Sequence, residues 1–119
     1  MPRYYLTTGS PSESKGATFD GEELGRVSQQ RNIRRADGVW RRTWTWTCFR
    51  LAQGGKILLH RQIVELGSGH WEGSCQIYEQ LPDLLTEIHV IYGRSQHPLV
   101  DLRRELLTKS LAPSPRAEH

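Results

Sequence analysis

The chain predicts an α+β fold: a twisted antiparallel β-meander of four to six strands followed by one or two C-terminal helices packed on one face. Two changes along the sequence carry that expectation. Between Tyr4 and Glu79, aromatic and β-branched residues recur in short runs, several alternating with period 2, separated by Gly-rich turns. From Leu81 onward the apolar period becomes 3.6. At 119 residues there is room for one small core, which sheet and helices must share.

Tyr4 to Thr8 is aromatic and β-branched and reads as the first strand. Gly9 to Gly16 is dense in Gly, Ser and Pro and reads as a loop. Ala17 to Asp20 suggests a second short strand, and Asp20-Gly21 a turn. A further strand is expected from Gly25 to Gln30, with Arg31 to Gly38 as a connection displaying Arg31, Arg34 and Arg35 at its tip. The segment Trp40 to Leu51 holds three of the four tryptophans, and it alternates strictly over Thr43 to Thr47. One face would carry Trp40, Arg42, Trp44, Trp46, Cys48 and Arg50; the other Arg41, Thr43, Thr45, Thr47 and Phe49. Alternation defines these faces without deciding which is inside. Ala52 to Gly55 supplies a tight connection to a strand over Lys56 to Leu66, and Gly67 to Gly69 turns into another over Trp71 to Glu79.

Leu81, Leu84, Leu85, Ile88 and Ile91 form one helical stripe, with Pro82 and Asp83 suited to its start and Gly93 to its end. A second helix begins near Pro98, with Leu99, Leu102 and Leu106 on its apolar side and Asp101 and Glu105 able to pair with Arg104 or Lys109. Residues 1–111 are expected to form a single domain, and 112–119, with Pro113 and Pro115, a disordered tail.

The net charge is +3, but it is unevenly placed. Between Arg26 and Arg50 stand seven arginines and one acid, Asp37, giving that segment +6 and leaving −3 for the rest. Arginine forks onto phosphate and stacks on aromatic planes. A concentrated basic patch of this kind is the electrostatic footprint of a polyanion partner; the competing reading is a solvated basic loop paired with acids elsewhere. Mean hydropathy is −0.61, and no run approaches the roughly 20 apolar residues of a transmembrane helix. Met1-Pro2-Arg3-Tyr4 has no apolar leader, so a cytoplasmic protein without membrane contact is expected.

Catalytic and metal chemistry find little support. Cys48 and Cys75 are too few for a disulfide framework and are expected to be small buried thiols. Neither they nor His60, His70, His89 and His97 stand at zinc-ligand spacing. Cys48 and His60 flank the Gly54-Gly55 hairpin and could meet on adjacent strands, but no nucleophile-elbow pattern surrounds them. Glu65 and Glu72 could oppose each other across the Gly67 to Gly69 turn, and no phosphate-cradling glycine motif is present. No metal, no cofactor and no enzymatic activity are expected.

Two segments resemble EXLDI, a family of small actinobacterial proteins. They are Arg50-Leu51-Ala52-Gln53-Gly54-Gly55-Lys56-Ile57-Leu58-Leu59-His60, similar to that family's strand, Gly-Lys turn and strand, and Ile77-Tyr78-Glu79-Gln80-Leu81-Pro82-Asp83-Leu84, similar to its strand-to-helix junction. The family's acidic C-terminal motif is absent here. The resemblance implies an actinobacterial intracellular protein, of the kind carried by mobile elements such as plasmids or phages. It implies no activity.

The leading expectation is a non-enzymatic nucleic-acid-associated or regulatory protein. Arg26, Arg31, Arg34, Arg35, Arg41 and Arg42 would contact phosphate, and Trp40 and Trp44 would stack on bases. The alternative is a protein-interaction module, such as an inhibitor, an accessory subunit or a homodimer, that buries the open sheet face with the same Trp and Arg residues. A ligand pocket between sheet and helices is a third reading.

Overall fold

A computed structural model describes residues 2–111 of the protein, and the tail expected at 112–119 lies outside them. Five strands, β1 (Arg3–Ser10), β2 (Glu13–Arg35), β3 (Gly38–Leu51), β4 (Ile57–Leu66) and β5 (Trp71–Tyr78), precede two helices, α1 (Leu81–Tyr92) and α2 (Pro98–Leu111). Each strand pairs antiparallel with the next, and β1 returns to β5 so that the sheet closes into a barrel. The α+β class, the meander order and both helices are as the periodicity predicts.

Three local expectations are corrected. The loop expected over Gly9 to Gly16 shrinks to a tight turn at Pro11-Ser12, because pairing continues out to Ser10 and Glu13. The turn expected at Asp20-Gly21 is continuous strand. At that point β2 changes partner: Asp20 is the last residue opposite β1, and Gly21 the first opposite β3. A side chain at Gly21 would collide with the carbonyl of Arg50, so glycine is there for close backbone approach. The connection expected over Arg31 to Gly38 is likewise mostly paired, down to Arg35 opposite Gly38, leaving Ala36-Asp37 as the turn. These changes merge two expected strands into one of 23 residues.

Closure is narrow. Gly9 opposite Gly73 is the paired position between β1 and β5, and His60 Nε2 donates to the Thr7 carbonyl at 3.1 Å beneath it. Inside the barrel Tyr4, Phe19 and Phe49 pack ring on ring, with centroids 4.8 to 5.6 Å apart. The outer face of β3 and β4 meets the helices. Trp46, Cys48, Ile57 and Leu59 form one core with Leu84 and Ile88 of α1 and Leu99, Leu102 and Leu106 of α2. A bulge between Glu23 and Gly25 brings Gly25 under Leu102 and Leu106, so α2 crosses β2 where no side chain obstructs it.

α1 starts as expected: the Gln80 N–H donates to Asp83 Oδ2 at 3.1 Å, with Pro82 in the first turn. His97 stacks on Tyr92 and edges onto Trp46, fixing the α1–α2 connection against the sheet. Burial holds the His97 imidazole below its ordinary pKa, consistent with its Nδ1 accepting the Leu99 N–H. Arg103 Nε donates to the Leu85 carbonyl and ties the helices together.

Candidate nucleic-acid interface

Residues opposite one another in the ladders share a face, so the register sorts every candidate side chain. On the helix-facing side Val27, Gln29, Arg31, Ile33 and Arg35 of β2 stand beside Trp40, Arg42, Trp44 and Trp46 of β3. On the barrel-interior side Arg26, Ser28, Gln30, Asn32 and Arg34 of β2 stand beside Arg41, Thr43 and Thr45 of β3. The proposed arginines and tryptophans therefore divide between two faces. Trp40 and Trp44 do not share a surface with Arg26, Arg34 and Arg41.

The tryptophan face is mostly structural. Trp46 is only 6% exposed, and Trp44 packs half-buried against the same core. The Arg42 guanidinium lies over the Trp44 ring, 5.7 Å from its centroid. Trp40 is half-buried, and its Nε1 donates to Asp37 Oδ1 at 3.2 Å, bracing the hairpin turn.

Arg35 and Arg42 are occupied by Glu65. Arg35 donates through both terminal nitrogens to the two Glu65 oxygens, at 2.5 and 2.8 Å. Arg42 donates through Nε and Nη2 to Oε2, at 3.2 and 2.8 Å, and the Ser68 hydroxyl donates to Oε1 at 2.9 Å. Glu65 is 1% exposed, yet its cover is thin: the Arg35 and Arg42 side chains that hide it remain 41% and 27% exposed. The hydrogen bond from Arg42, supported by Ser68 and Arg35, holds the carboxyl below its ordinary pKa despite the opposing effect of desolvation. In the sequence Glu65 stands out only as one half of a possible carboxylate pair with Glu72, and nothing there links it to Arg35 or Arg42.

The remaining arginines differ. Arg26 is exposed and pairs with Glu23 at 2.6 Å. Arg31, Arg34 and Arg41 are exposed and form no ion pair among the described residues. With the Gln29 amide turned to suit its neighbours, its oxygen accepts from Arg31 at 3.1 Å. Arg34 and Arg41 lie near the end of the β2–β3 hairpin, where β3 runs past the last paired residue of β4.

The interior side opens near that end. A pocket of about 530 Å³ is lined by Thr7, Gln62, Val64, Glu65, Leu66 and Trp71 together with Gly67 and Gly69 of the following turn. Register places Gln30, Thr43, Val64 and Trp71 in one cross-strand row, and Asn32, Arg41 and Leu66 in the next. Trp71, half-buried, makes no ring contact with another aromatic among the described residues.

Nucleophilic chemistry finds no assembled pair. Cys48 stands opposite Leu59 and Thr47 opposite His60, so Cys48 and His60 project to opposite faces. Burial pushes the Cys48 thiol up to about 12, outweighing nearby Arg50. Cys75, expected to be buried, is exposed because β1 covers β5 only around Gly73. Glu72 faces Ile63 rather than Glu65, and pairs with His70. Among the described residues no cluster of His, Cys, Asp and Glu could hold a metal ion, and no helix is long and apolar enough to cross a membrane.

No family model, no curated protein and no solved structure matches the chain.

Proposed function

We propose that this protein binds nucleic acid without catalysing a reaction, as a cytoplasmic nucleic-acid-associated or regulatory protein, through the β2–β3 hairpin. The observation that carries this reading is the set of exposed arginines without acidic partners among the described residues, Arg31, Arg34 and Arg41, in a segment of net charge +6. Arginines engaged by Glu65 stiffen the hairpin, and those left over supply phosphate contacts. Ser28, Gln30, Asn32, Thr43 and Thr45 add hydrogen-bonding groups on the same side as Arg34 and Arg41. The competing reading, a partner protein burying an open sheet face, has less surface to use: α1 and α2 cover much of one face, and closure of β1 on β5 encloses part of the other.

The test is anisotropy titration of labelled single- and double-stranded oligonucleotides at two salt concentrations. The triple charge reversal Arg31→Glu, Arg34→Glu, Arg41→Glu should abolish binding while leaving the circular dichroism spectrum intact. Binding unchanged by that reversal would sink the proposal.

A further inference from the structure

We propose that the pocket at the open end of the barrel holds an unpaired nucleobase stacked on Trp71, making a single strand the preferred ligand. This rests on the nucleic-acid reading above and adds to it a subsite, a residue and a strandedness.

The pocket has the composition of a base site. Val64, Leu66 and Trp71 supply apolar and aromatic surface, and Gln62, Thr7 and Glu65 supply polar groups, the Glu65 carboxylate being already held by Arg35 and Arg42. Its volume of about 530 Å³ falls in the range of roughly 300–1,000 Å³ typical of small-molecule sites. Trp71 is partly buried in the pocket wall and stacks on no other aromatic ring among the described residues, so a base would be its first ring partner. Every base presents a π-face, so stacking on Trp71 is tolerant of sequence.

Charge makes the occupant a nucleotide rather than a neutral aromatic. Leu66, at the pocket mouth, stands directly opposite Arg41, and Asn32 stands beyond it in the same row. From strand spacing and rise, the backbone of Arg41 lies roughly 12 Å from that of Trp71. Arg34, on the same face one row further out, continues the line toward the hairpin tip. A strand with its base on Trp71 would thus pass its phosphates along Arg41 and Arg34, neither of which has an acidic partner among the described residues. A base paired within a duplex is stacked on both sides and cannot enter.

Binding of a twelve-residue oligothymidine and of a duplex of equal length, measured side by side, tests this. Trp71→Ala should weaken oligothymidine binding about 5- to 150-fold and leave duplex binding and its salt dependence unchanged. Trp71→Phe should retain most of the affinity. With 5-fluorotryptophan incorporated, the resonance missing from Trp71→Phe should be the one that oligothymidine moves most, a readout independent of whether Trp71→Ala folds. Wild-type affinity in Trp71→Ala, or a resonance that stays still at saturation, would overturn the base site while leaving phosphate binding by the hairpin standing. Failure of the wild-type protein to bind either oligonucleotide would overturn both.

Discussion

Glu65 decides which arginines are available. It lies 23 residues from Arg42 and 30 from Arg35 in the chain, yet it holds both guanidinium groups on one carboxylate. The clustering of seven arginines is legible in the sequence, but the sharing of one carboxylate by two of them depends on strand register. Because the folded carboxyl titrates below its ordinary value, the unfolded chain takes up the proton more readily. The clamp therefore stabilises the fold at pH above the unfolded value of about 4.3, and that stability is lost as pH falls through the lower folded value. Glu65→Gln should lower the melting temperature at neutral pH, with the gap to wild type closing as the wild-type clamp is protonated. A gap that persists undiminished into strong acid would mean that packing, not charge, is what Glu65 supplies. The cysteines give a second prediction at this scale. With its thiol raised by burial, Cys48 should resist iodoacetamide until the protein unfolds, while exposed Cys75 is alkylated in the native state. Equal labelling rates for the two, resolved by peptide mass spectrometry, would contradict the burial of Cys48 beneath the helices.

β3 and β4 were legible because local and tertiary signals agree. The alternation from Trp40 to Phe49 matches the pleat, and Gly54 and Gly55, with φ of 81° and 65°, take the left-handed turn conformations that the Gly-Gly pair suggests. β2 was not legible as one strand because its glycines have two possible meanings. Gly16 and Gly21 look like turn residues in isolation, but in the fold one lies under the Tyr5 ring and the other against the backbone at Arg50. Close approach requires the same residue type as a turn, and only the neighbouring strand distinguishes them. Gly73 is the sharper case. A Cβ there would overlap the Thr7 carbonyl, and Gly73 carries the β1–β5 pairing opposite Gly9. Gly73→Ala should therefore push β1 away from β5 and cost about 1–3 kcal/mol in urea unfolding. Amide exchange should quicken in β1 rather than in the helices. A variant of wild-type stability with protected β1 amides would show that closure there contributes little. The same dependence on register hid Trp71: as the first residue of β5 it has no local neighbour that marks it, and it meets the arginine face only across Val64 and Thr43.

The whole molecule separates its charge from its core. It extends 59 × 34 × 24 Å, and the helices pack on Trp46 and Cys48 while β2 and β3 run on to the turn at Ala36-Asp37. Beyond Gly21, β2 has β3 as its paired neighbour, so much of its other edge is open. An open edge invites pairing with a second copy, and charged side chains along it oppose that. Arg26, Arg31, Arg34 and Arg35 occupy this strand, so two copies meeting edge to edge would set like charges against each other. A polyanion would meet no such penalty, and on the proposed nucleic-acid reading the salt dependence of binding measures how many arginines take part. Each phosphate contact contributes about 0.7 to the slope of log K against log salt for a single strand and about 0.9 for a duplex. Arg34→Ala and Arg41→Ala should each reduce the slope by about that amount. Arg35→Ala should instead lower the melting temperature and leave the slope nearly unchanged, because its guanidinium is already engaged by both oxygens of Glu65. If Arg35→Ala reduced the slope as much as Arg41→Ala, the clamp would have to open on binding, and the division between stiffening and contacting arginines would fail.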